Sequence, residues 1–142
     1  TGVLMSEYRG RHQPDPDGPQ MHEAGLAFPD LYEHPRYYVT HGPEDAESLR
    51  AISVARSNPD AMIKIYRSAP RGVTQINPGD WVTPSKHYAT QHGLHPYDPE
   101  QDMPVISMIV RAKELRTEGN SIHEWGWFPE HADKGTSPAW PE

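Results

Sequence analysis

The sequence predicts one α+β domain with a sheet core and few helices, and three observations carry that expectation. Short β-branched or aromatic runs recur at Met62–Arg67, Asp80–Thr83, Val105–Val110 and Ile122–Phe128. Only two stretches carry helix-start chemistry, at Pro43-Glu44 and at Pro84-Ser85. Sixteen prolines and eleven glycines in 142 residues keep every element short. The order helix, strand, strand, helix, strand, strand behind an irregular N-terminal segment is that of an α+β domain.

The elements follow in order. Residues 1–42 read as an irregular arm, punctuated by Pro14-Asp-Pro-Asp-Gly-Pro19, Phe28-Pro29 and His34-Pro35. Its aromatic residues (Tyr8, Phe28, Tyr32, Tyr37, Tyr38) predict that it packs on the domain, because a disordered arm is poor in such residues. A helix is expected over about 44–57. Pro43 suits its first turn, Glu44, Asp45 and Glu47 suit the positive end of the helix dipole, and Ala46, Leu49, Ile52 and Ala55 form its apolar stripe. Asn58-Pro59-Asp60 stops it.

Met62–Arg67 alternates as a strand, and Asp80–Thr83 reads as a short second one. Ser85 is expected to cap a helix that ends with Gly93 at the position after its last turn. Val105–Val110 is apolar on both faces and reads as the central strand. Ile122–Phe128 reads as the last strand, and residues 129–142 as a frayed polar tail. The core domain is thus 43–128.

Composition excludes several classes of function. Without cysteine there is no disulfide, thiolate metal site or cysteine nucleophile, which suits a cytoplasmic protein. A net charge of −7 argues against a broad phosphate-binding face. No apolar stretch approaches eighteen residues, so no membrane span is expected. The first residues lack a charged segment followed by an apolar run, so no signal peptide is expected.

Three polar residues stand at strand positions that packing alone would fill with apolar ones. Arg67 ends the first strand on the face of Ile63 and Ile65, Ser85 follows the second strand, and Glu124 precedes Trp125 in the last. Each has a plain structural reading: a strand-end arginine paired with an acid, a helix cap, a solvent-facing strand residue.

The segments Ile65-Tyr-Arg67, Gly79-Asp-Trp-Val-Thr-Pro-Ser85-Lys-His-Tyr88-Ala and Gly119-Asn-Ser-Ile-His-Glu124-Trp-Gly, in that order, resemble the Arg–Ser–Glu pattern of ADP-ribosyltransferases. They are most similar to the ADP-ribosyltransferase-like domains of phage and prophage polyvalent proteins. Tyr8-Arg-Gly-Arg-His-Gln-Pro14 and Asn58-Pro-Asp-Ala61 extend the likeness over residues 8–128.

The resemblance implies a small split sheet, mixed or antiparallel, and NAD as substrate. It also implies transfer of ADP-ribose to a macromolecular acceptor, protein or nucleic acid. It assigns Glu124 as the catalytic carboxylate, Arg67 to the diphosphate or adjacent ribose, Ser85 and Thr83 to orientation of the glutamate and ribose, and Tyr88 to stacking on nicotinamide. The stretch Tyr8-Arg-Gly-Arg-His12 reads either as a flap over the cofactor cleft that contributes Tyr8 or Arg9, or as a solvated arm. Ile122 stands where arginine-modifying members carry Gln or Glu, which argues against an arginine acceptor. The alternatives are a domain of the same fold without turnover that acts as an interaction module, and a metal-dependent hydrolase built on His87, His92 and His123.

Overall fold

The computed structural model describes residues 13–134. The expectation for Tyr8 lies outside them, as do the first part of the N-terminal arm and residues 135–142.

Strand β1 (Met62–Ser68) pairs antiparallel with β3 (Val105–Arg111), with Ile63 opposite Val110, Ile65 opposite Met108 and Arg67 opposite Ile106. A second sheet has the order β2 (Trp81–Val82), β5 (Trp125–Trp127), β4 (Leu115–Arg116), all antiparallel. The two sheets meet at one backbone bridge, where Tyr66 and Thr83 exchange N–H···O=C bonds of 2.8 and 3.0 Å. The protein is thus a small α+β fold with two small antiparallel sheets; no ladder among the described residues is parallel.

Helix α1 (Glu44–Ala55) follows Pro43, with three acids in its first turn. It stops two residues earlier than the sequence suggests, because Ser57 turns into the left-handed region at φ 58° ahead of Asn58-Pro59. Its buried face also differs from the expected apolar stripe. Ile52 and Ala55 are buried, but Ala46 is exposed, and Asp45 and Ser48 take the inward positions nearer the helix start. That polar half of the face meets the candidate site.

Helix α2 (Lys86–Gly93) is capped by Ser85, whose hydroxyl accepts from the Tyr88 N–H at 3.0 Å. Gly93 is the last helical residue, so its glycine is required by space: a Cβ there would lie 2.8 Å from both the Met103 carbonyl oxygen and the Ser68 Cβ.

Three other expectations are corrected. Strand β3 is not central: β1 is its strand partner among the described residues, and its outward face leaves Ile109 59% exposed. Its apolar run therefore covers the core with one pleat face only. The last strand is shorter than 122–128, because the Glu124 N–H bonds the Ser121 carbonyl at 3.2 Å and closes a turn before Trp125. Pro129–Lys134 is a 3₁₀ helix with Ala132 buried, in place of a frayed start to the tail.

The N-terminal segment supplies part of the core itself. Met21, Ala24, Phe28 and Leu31 are buried with Ile52, Ile63, Ile65, Leu115, Ile122 and Trp125 in one cluster. Two buried polar side chains fasten that segment to the C-terminal end. Arg116 donates to the carbonyls of Gly18 (2.7 Å) and His131 (2.8 Å), and the Gln20 amide donates to those of Lys113 and Ala132. Desolvation lowers the pKa of Arg116, and charge-assisted bonds to carbonyls are what make such burial tolerable.

Candidate functional site

Strand β2 is bridged to β1 and pairs antiparallel with β5, so its start lies by the end of β1 and the chain leaving it passes the turn before β5. Four of the sequence-predicted residues are brought into one hydrogen-bonded run there. The Ser85 N–H donates to Thr83 Oγ1 at 3.1 Å, Ser85 Oγ accepts from the Tyr88 N–H, and the Tyr88 hydroxyl donates to Glu124 Oε2 at 2.5 Å. Thr83 and Ser85 are buried, whereas Tyr88 and Glu124 are half-buried.

Ser85 is also held from the other side. Its hydroxyl donates to Glu47 Oε1 at 2.5 Å, and the same carboxylate oxygen accepts from the His87 N–H at 3.1 Å. Glu47 and Ser85 thus satisfy the second and third free N–H groups of α2, and the Glu47 charge lies at the positive end of that helix.

Arg67 lies apart from this run. Its Nη1 donates to the Trp81 carbonyl at 2.8 Å, and its Nε is 3.6 Å from Asp80 Oδ2, both side chains being about 10% exposed. It is therefore tied to the start of β2, while Ser85 follows that strand's other end. The paired strand-end arginine read from the sequence as the structural alternative matches this arrangement.

Beside Tyr88 and Glu124 lies His123, which the sequence offered only as a metal ligand. His123 is fully buried, with Nδ1 2.6 Å from Ser48 Oγ and Nε2 3.3 Å from Asp45 Oδ1. The latter contact is close enough for charge attraction but misaligned for a full hydrogen bond, which leaves Nε2 incompletely satisfied. Desolvation lowers the His123 pKa against the pull of Asp45, so the imidazole is neutral at neutral pH. Burial opposes the Asp45 charge as well, but bonds from the Thr40 N–H and hydroxyl and from the His41 and Gly42 N–H groups outweigh it and hold the carboxyl below its ordinary range.

The Tyr88 ring contacts two imidazoles. It stacks on His123 at 4.8 Å and 26°, and lies 4.4 Å from His92 at 45°. Burial, and then the contact with Glu124, push its phenol pKa well above the usual value.

The one group of three or more metal-ligand side chains among the described residues is Glu44, Asp45 and His123, whose ligand atoms lie within 4.8 Å of one another. The chemistry of these donors fits a cation poorly. Both Asp45 oxygens already accept N–H or O–H bonds, Glu44 Oε2 accepts from the Thr40 hydroxyl at 2.6 Å, and the start of α1 presents the positive end of its dipole. The histidine set read from the sequence is not brought together as ligands: among the described residues His123 groups with Glu44 and Asp45, and neither His87 nor His92 belongs to that group.

No protein-family model, curated protein or solved structure matches the chain. Among the described residues, no helix is long and apolar enough to cross a membrane.

Proposed function

We propose that the chain is an NAD-dependent ADP-ribosyltransferase of the phage or prophage type, acting in the cytoplasm on a macromolecular acceptor. The observation that carries this reading is the bond from the Tyr88 hydroxyl to the half-buried Glu124 carboxylate, on a helix whose start is held by Thr83 and Ser85. Together with the order of the Arg67, Ser85 and Glu124 segments, it supports a site for a ribose and an aromatic ring.

The chemistry breaks the bond between nicotinamide nitrogen and ribose C1′. The bonding pair leaves with the nicotinamide, the acceptor forms the new bond to C1′, and the acceptor's proton is released. Glu124 stabilises the positive charge that develops on the ribose, as carboxylates do in glycoside cleavage. Tyr88 supplies a ring face for nicotinamide once its hydroxyl leaves Glu124 and the His92 imidazole leaves its ring, the His123 stack being kept. Arg67 exchanges its bond to the Trp81 carbonyl for phosphate oxygens, to which a guanidinium fork is suited.

A second reading is favoured by a specific observation. Ser85 is fully buried, and its hydroxyl is already shared between Glu47 and the Tyr88 N–H, as in a purely structural cap. On that reading the domain is an interaction module without turnover.

Incubation with NAD labelled in the adenylate half, in the presence of a cell lysate, separates the two. Transfer of label to macromolecules by the wild-type chain and its loss in Glu124→Gln support the transferase. A Glu124→Gln protein that still transfers label removes Glu124 from the chemistry. Absence of both label transfer and an NAD-dependent rise in Tm supports the interaction module.

A further inference from the structure

The contacts of His123 are more than packing requires. This buried imidazole has the Ser48 hydroxyl on Nδ1 and the Asp45 charge facing Nε2, and it also presents its face to Tyr88 and adjoins Glu124 in the chain. Both partners, Asp45 and Ser48, come from the same side of α1, three residues apart. A Ser–His–Asp set of this kind invites comparison with nucleophilic catalysis, but Ser48 is fully buried and cannot meet a substrate.

We infer that His123 is a positioning residue: Ser48 and Asp45 clamp its ring, and the ring fixes both Tyr88, by stacking, and the turn that carries Glu124. This inference rests on the transferase reading for its catalytic consequence, but its structural content stands on the clamp alone.

The tautomer follows from the partners. With Asp45 ionised, Nε2 carries the proton and faces Oδ1, while Nδ1 accepts from the Ser48 hydroxyl. Ring rotation would break both contacts at once, so the plane against which Tyr88 stacks is fixed. The Tyr88 ring also meets His92 at 4.4 Å, and its hydroxyl has Glu124 Oε2 within reach. The backbone beside it is held in the same way: the His123 N–H donates to Ser121 Oγ at 3.1 Å, and the Glu124 carbonyl accepts from the Thr117 hydroxyl at 3.2 Å. Loosening the clamp therefore displaces the carboxylate and its phenol partner together.

The test uses Ser48→Ala, which removes the Nδ1 partner and keeps the ring, and His123→Phe, which keeps a stacking face and loses both polar contacts. The first readout is the ring ¹³C chemical shift of Tyr88 at neutral pH in tyrosine-labelled protein, assigned with Tyr88→Phe. The second is nicotinamide release from NAD. The expected result is a Tyr88 ring shift that moves towards that of a solvent-exposed tyrosine in both variants. With it, kcat falls about 10- to 100-fold while KM for NAD is little changed, the signature of a displaced catalytic group.

An unmoved Tyr88 ring shift in folded Ser48→Ala overturns the inference, whatever happens to turnover. A wild-type chain that releases no nicotinamide, with a Tyr88 ring shift that still moves in Ser48→Ala, sinks the transferase reading and supports the clamp.

Discussion

Replacing Ser85 with alanine removes two interactions of known geometry. The cap bond to the Tyr88 N–H (3.0 Å) is worth about 1 kcal/mol, since its loss leaves an α2 donor without its side-chain acceptor. The bond to Glu47 (2.5 Å) contributes about 1 kcal/mol more, discounted from the larger values for charged acceptors because Glu47 is exposed and regains water. The expected loss is about 2 kcal/mol, or a fall in Tm of about 4–8 °C for a chain of this length. Differential scanning fluorimetry and urea denaturation measure it.

The decisive version is a double-mutant cycle with Glu47→Ala. If the Ser85–Glu47 contact is real, either single variant destroys it. The double variant should then be less destabilised than the sum of the singles by about 1 kcal/mol. Singles that add to within about 0.3 kcal/mol would refute the contact, and with it the cross-link that joins α1 to the start of α2.

Gly93→Ala should cost about 1–3 kcal/mol, read from urea midpoints, because the new methyl meets the Met103 carbonyl and Ser68 Cβ and neither lies on a flexible side-chain end; a neutral substitution would contradict that packing. Arg116→Met should cost about 2–4 kcal/mol by the same assay, since it strips donors from the Gly18 and His131 carbonyls, and a variant as stable as wild type would show that those bonds contribute nothing. Stability should fall as pH drops below about 6.5, the ordinary histidine value, because His123 and His22 are both depressed by burial in the folded state and the unfolded chain takes up protons first. Urea midpoints at pH 8 and pH 5 test this, and a slope that persists unchanged in His123→Phe would remove His123 as a source.

Much of the fold was legible from local chemistry. The alternation of Ile63 and Ile65 with Met62 and Lys64 marked β1, and Ser85 marked the start of α2, because period and capping are properties of a few neighbouring residues. The position of β3 was not legible, since an apolar run looks the same on a central strand and on one that covers the core with one face. Strand β4 was missed because Leu115–Arg116 is two residues long and exists only through its partner Trp125–Trp127.

The site divides in the same way. Thr83, Ser85, Tyr88 and Glu124 were named from the sequence and are joined by hydrogen bonds, whereas Arg67 is held elsewhere on β2. Asp45, Glu47, Ser48 and His123 were not read as parts of one site, because their meeting depends on how α1 packs. One signal was available. Asp45 and Ser48 stand three apart on a helix whose apolar stripe is thin near its start, a pattern that leaves a polar patch facing inward.

The central claim is that Glu124, Tyr88 and Arg67 receive one dinucleotide. A crystal structure with a non-hydrolysable NAD analogue tests it most directly. The expected result is the nicotinamide ribose against the Glu124 carboxylate, the Tyr88 hydroxyl released from Glu124 with its ring on the nicotinamide in place of His92, and Arg67 on the diphosphate. An analogue bound elsewhere, with the Tyr88–Glu124 hydrogen bond intact, would contradict it.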